Sequence, residues 1–261
     1  MVLMILIYIL LGLIGGLHRA SYGAYKDSPY ENFYIGRFLR DLIIGVLAAI
    51  IFFNFGWGKN EPLLILALTF FSISYIIVEV WKVFIRYKDE SDYRIPVRMH
   101  IGGKAVESHL IRALFALIFI GVIYGIYKIG ILLPESIDII YKGMIMGFLI
   151  TLFEAIGGGY KDGTIEGFKL ITFLRSPMLG IIGGFLMALI TKNLALILLG
   201  LLAFERIIIE TRKFFKGGYM PGKFIQGKVV YQEWMKKRWI FLIPYTSTWI
   251  GFIVLLILYF Y

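Results

Sequence analysis

Residues 23–45 read GAYKDSPYENFYIGRFLRDLIIG, and residues 158–180 read GGYKDGTIEGFKLITFLRSPMLG. Aligned without gaps over Ala20–Gly45 and Ala155–Gly180, eleven of 26 positions are identical. About one or two matches would arise by chance at ordinary residue frequencies. The shared residues are Ala20/Ala155, Gly23/Gly158, Tyr25/Tyr160, Lys26/Lys161, Asp27/Asp162, Glu31/Glu166, Phe33/Phe168, Phe38/Phe173, Leu39/Leu174, Arg40/Arg175 and Gly45/Gly180. A charged, aromatic stretch written twice sets the period of the chain, and the rest of the sequence is read outward from it.

Both copies are embedded in apolar sequence. The chain is 59% hydrophobic with a mean hydropathy of +0.82, whereas soluble domains hold about 45–50% apolar residues. The apolar residues fall into eight runs at 2–23, 38–57, 62–85, 109–131, 137–158, 173–190, 194–214 and 239–260. A bilayer core takes about 20 helical residues to cross. The fold class expected is therefore an all-α integral membrane protein with eight transmembrane helices. A weaker echo links EVWKVF (Glu79, Lys82, Phe84) to ETRKFF (Glu210, Lys213, Phe215), so the repeated unit spans four helices. A unit with an even number of spans repeats with the same topology, and the halves expected are 1–131 and 132–261.

Composition excludes some chemistry. There is no cysteine, so disulfides, thiolate metal sites and cysteine nucleophiles are out. The net charge of +10 is read as a topology signal and not as a nucleic-acid footprint. The loops after the odd-numbered spans, with the adjoining span ends, carry all of the 27 Lys and Arg except Lys59, Lys128, Lys142 and Lys192. The positive-inside rule then places those loops in the cytoplasm, against anionic headgroups, and both termini outside. The run Gly222–Lys228 outlines a phosphate-binding loop, but Val229 follows where Ser or Thr should stand, and no strand precedes it.

Gly23 and Gly158 are expected to end their helices, as glycine does at C′. The repeated stretches become cytoplasmic elbows. With helical geometry after Asp27, Asp27 and Glu31 stand one turn apart on one face, as do Asp162 and Glu166. Lys26, Arg40, Lys161 and Arg175 are their expected cationic partners. Such elbows could be locally paired turns, a latch between two moving halves, or a site where the four carboxylates hold Mg²⁺ and the cations hold phosphate oxygens. Inside the spans lie Arg19, Glu79, Glu154, Glu205, Arg206 and Glu210. Ionisable groups at such depth mark functional positions by default. Arg19 and Glu154 occupy one repeat position, which points to an ion pair across the halves. Glycine clusters at 12–16, 157–159 and 180–184 are expected to let helices approach closely. Three function classes fit: a transporter or channel for a small ion or solute, a membrane-embedded transferase or hydrolase acting on a phosphorylated lipid, and a non-catalytic assembly subunit.

Overall fold

The computed structural model describes residues 2–261 except 88–90, 92, 95–96, 102–103, 216–223 and 226–229; for 161–162 and 164–166 it describes the backbone alone. It is 82% helical, which settles the class as all-α. The long helices are α1 (Val2–Glu31), α2 (Ile35–Asn54), α3 (Leu63–Val80, continued by a π-turn over Trp81–Ile85), α4 (His109–Leu132), α5 (Ile139–Glu166), α6 (Leu170–Ile190) and α7 (Leu194–Phe215). Then come a short α8 (Gln232–Lys237), a 3₁₀ turn (Arg238–Phe241) and α9 (Leu242–Phe260). A two-stranded antiparallel hairpin pairs β1 (His100–Ile101) with β2 (Lys104–Ala105).

Among the described residues six segments are long and apolar enough to cross a membrane: α1, α3 with its π-turn, α4, α5 as far as Tyr160, α6, and α8 through α9. The remaining two expected spans do form helices. In α2 the run carries Arg37, Arg40 and Asp41, and in α7 it carries Glu205, Arg206 and Glu210. Every stretch of these two helices long enough to span a membrane holds three or more ionisable groups, with Arg212 and Lys213 adding to the count in α7. They are also the helices whose charges need an explanation.

The expected helix ends at Gly23 and Gly158 are wrong. Both α1 and α5 run on through Tyr-Lys-Asp to Glu31 and Glu166. Neither glycine takes the positive φ that a C′ stop requires. The residues that do are Asn32 (φ 60°) and Gly167 (φ 73°), and the next helices begin at Ile35 and Leu170. Asn tolerates the left-handed region because its short amide bonds locally; here the Asn32 side chain accepts from the Phe33 amide at 2.9 Å. Pro29 sits in the last turn of α1, and its carbonyl is among those that no helical N–H can reach. The Tyr231 amide, just ahead of α8, fills that role at 3.0 Å.

The chain forms two compact units. The first comprises 1–78, 210–221 and 226–261, and the second 79–209 and 222–225. The first thus holds α1, α2, most of α3, α8 and α9; the second holds the end of α3 with its π-turn, α4, α5, α6 and most of α7. This cut differs from a division at residue 131: α4 groups with α5–α7, and α9 groups with α1–α3.

Within each unit glycine lets helices approach closely, and α1 meets both α2 and, at Gly15, α3 in this way. A Cβ on Gly12 would stand 2.5 Å from the Gly45 carbonyl oxygen, and one on Gly16 2.5 Å from that of Asp41. Any side chain there would push α1 off α2. In the second unit Gly147 meets Gly180, and a Cβ on Gly143 would stand 2.6 Å from the Gly184 oxygen. Gly147 and Gly180 lie 135 positions beyond Gly12 and Gly45, the same offset as the sequence repeat. The third cluster behaves otherwise. Gly157 and Gly158 have nothing within 4 Å of a built Cβ, so a side chain there would meet open space.

Candidate functional site

In the first unit the polar centre is Asp41. It lies in α2, a few residues past the elbow, and is 6% exposed. Its carboxylate accepts from two guanidinium groups. Arg19 Nε of α1 donates to Oδ2 at 3.2 Å, and Arg40 donates to Oδ1 from Nε and Nη2 at 2.9 Å each. The Asp41 backbone oxygen also accepts the Ser74 hydroxyl of α3 at 2.9 Å. Arg19 rests over the Tyr75 ring with its guanidinium carbon 4.9 Å from the centroid. Three helices therefore meet on one aspartate, and the close α1–α2 approach at Gly16 is what lets Arg19 reach it. A buried pair of this kind is held by Coulomb attraction that must exceed a desolvation cost of several kcal/mol per ion.

The acceptor for Arg19 is thus Asp41, from its own unit. Glu154, the expected partner, belongs to the other unit. Arg40 likewise donates to Asp41. Of the elbow residues, Glu31 pairs with Arg37 at 2.6 Å and Lys26 lies 3.8 Å from Asp27. Asp27 and Glu31 do stand one helical turn apart, since α1 continues through both. The side chains of Lys161, Asp162 and Glu166 lie outside the described residues, as does most of Gly222–Lys228. Among the described residues no three His, Cys, Asp or Glu side chains converge as a metal ion requires.

Beside this centre is a group that the sequence reading passed over. His18 is fully buried in α1, ringed by Phe71 of α3 and by Tyr245, Trp249 and Phe252 of α9, with centroids 4.8–5.7 Å away. Neither ring nitrogen has a hydrogen-bond partner among the described residues. Ser21, one turn on, is as deeply buried and equally without a partner for its hydroxyl. On the other side of α9, Tyr245 packs on Phe214, and Glu210 lies within its electrostatic reach.

The second unit collects carboxylates. Glu154 of α5 lies within electrostatic reach of both Glu205 of α7 and Glu79, just before the π-turn. Glu205 is 2% exposed, and Glu79 also bonds Lys82 at 3.2 Å. Thr151, one turn before Glu154, donates its hydroxyl to the Gly147 carbonyl at 2.6 Å and faces Gly180. Carboxyl groups this close in a poorly polarisable interior act on one another strongly, and ionisable groups at such depth mark functional positions by default. Arg175, at the N-terminal end of α6, is half-buried.

Comparison with known protein families, characterised proteins and solved structures gives no match for this chain.

Proposed function

We propose that this polytopic membrane protein is a transporter for a small ion or solute. Two four-helix repeats of one topology, 1–131 and 132–261, would carry eight spans, both termini outside, and a polar site opening toward the cytoplasm and its anionic headgroups. The observation that carries the reading is the placement of ionisable groups. Arg19 and Asp41 are buried in one helix pair, and Glu154 and Glu205 gather in the other unit. Membrane helices keep such groups where a substrate or coupling ion passes. An inert assembly subunit would have no use for a carboxyl trio inside its spans.

The repeat is supported by geometry at equivalent positions. The helix ends at Glu31 and Glu166, the left-handed residues Asn32 and Gly167, and the glycine pairs Gly12–Gly45 and Gly147–Gly180 all share the offset of 135. On this reading α4 and α9 are equivalent fourth helices. Each packs in the unit built around the other repeat's first three, an exchange that would tie the halves together. The halves differ at the charges, where Arg19 and Asp41 in one answer to Glu154 and Ser176 in the other.

The test is flux through proteoliposomes holding the full chain, scanned over protons, alkali cations and small anions with ion-sensitive dyes. A flux above that of empty liposomes is expected for at least one of them. Glu154→Gln, which keeps the shape and removes the charge, should lower it to the empty-liposome level without changing the melting temperature. No flux for any solute, or equal flux in wild type and Glu154→Gln, would remove the reading.

A further inference from the structure

In the second unit Arg112 is placed where, among the described residues, the chain satisfies only part of its guanidinium. Arg112 stands in the first turn of α4 and is completely buried. The rest of the helix start is not: Leu110, Ile111, Leu114 and Phe115 are all exposed on the apolar surface. Helical side chains lean toward the N-terminus of their helix, and Arg112 does so, donating Nη2 to the Arg86 carbonyl at 2.6 Å. Its Nε and Nη1 are buried and have no hydrogen-bond partner among the described residues. The N-cap is already served, because the Ser108 hydroxyl accepts the Ile111 amide. The neighbouring cation Arg98 is served as well, by Glu107 at 3.4 Å.

A guanidinium carries its charge into the interior, and donors left open there cost more than exposed ones. The fork that remains, Nε and Nη1, is the geometry that receives two oxygens of one oxyanion. The site lies at the start of α4, where the unfilled N–H groups and the helix dipole add positive potential. It also lies about one turn inside the end of a spanning helix, which is headgroup depth.

We propose that Arg112, at the N-terminus of α4, binds a phosphate-type oxyanion, presented either by a lipid headgroup or by a soluble anion. The inference does not rest on transport, since binding is read without flux. It adds a ligand class that the carboxyl cluster does not.

The experiment uses the full chain purified in a zwitterionic detergent without phosphate. Thermal unfolding is followed on adding inorganic phosphate in one arm and phosphatidylglycerol in the other. A rise in the wild-type melting temperature with phosphate identifies a soluble anion; a rise with phosphatidylglycerol alone identifies the headgroup. Arg112→Met should lose the response and, in anion-free detergent, should melt no lower than wild type. Arg112→Lys, which has no fork, should bind about tenfold or more weakly, the worth of one charged hydrogen bond. Lys236→Gln, an exposed cation elsewhere, should respond as wild type does. No rise in either arm, or an equal rise in Arg112→Met, overturns the site. So does an Arg112→Met chain that fails to fold in anion-free detergent, because the guanidinium would then be satisfied by the chain itself.

Discussion

Asp41→Ala should be the most damaging single substitution in the first unit. It strips the acceptor from Arg19 and Arg40 together and leaves Arg19, 6% exposed, as a buried charge without its carboxylate. Breaking such a pair by removing one partner costs about 3–5 kcal/mol. The loss should appear as a lower midpoint when detergent-solubilised protein is unfolded by heat or by SDS. Asp41→Asn should fall between, since an amide oxygen still accepts but no longer balances charge. Arg19→Leu combined with Asp41→Leu should recover much of the loss, because replacing both partners removes the desolvation term as well. A double variant no better than Asp41→Ala would show that the aspartate acts through Arg40 and not through Arg19.

The second large effect is expected at the glycines. Gly147→Leu or Gly180→Leu would drive a side chain into the facing backbone of α5 or α6. Overpacking costs about 1–3 kcal/mol where neighbours can shift. Here the neighbour is backbone, so the helix pair should separate, and little folded protein should be recovered. Gly12→Leu and Gly45→Leu should behave alike in the first unit. Gly23→Ala and Gly158→Ala make the contrast. Both sites are inside helices with open space around a built Cβ, and alanine there should stabilise by about 0.5–1 kcal/mol. Midpoints that moved alike in the two sets would mean that the close approach is not what holds the pairs.

That contrast also shows where the sequence was legible and where it was not. The apolar runs placed the helices well, because hydrophobic length is a local property. Gly23 and Gly158 mislead because glycine, common at C′ where an apolar run gives way to polar sequence, is also tolerated inside a helix. A helix can leave the apolar layer and continue, and α1 and α5 do. The true stops, Asn32 and Gly167, are different residues that share a tolerance for left-handed backbone. A search for identical residues therefore passed them by. Asp41 was missed for the same reason, since its counterpart is Ser176. Identity between copies marks what the two halves hold in common; the charge network lies where they diverge. His18 and Arg112 needed burial, which periodicity does not supply. Nor could spacing foresee that α9 packs with α1 and α4 with α5, because that choice is made by contacts far apart in the chain.

The account rests on duplication with one topology, and single-cysteine labelling tests it most directly. The chain has no cysteine of its own, so each introduced thiol reports alone. Tyr34 and Lys169 are exposed, equivalent elbow positions, and Asn60 and Lys192 are exposed on the connections at the other helix ends. With a membrane-impermeant maleimide on intact cells, Asn60→Cys and Lys192→Cys should label at once. Tyr34→Cys and Lys169→Cys should label only after the membrane is opened. If Tyr34→Cys and Lys169→Cys label from opposite sides, the two halves do not share a topology, and the account fails.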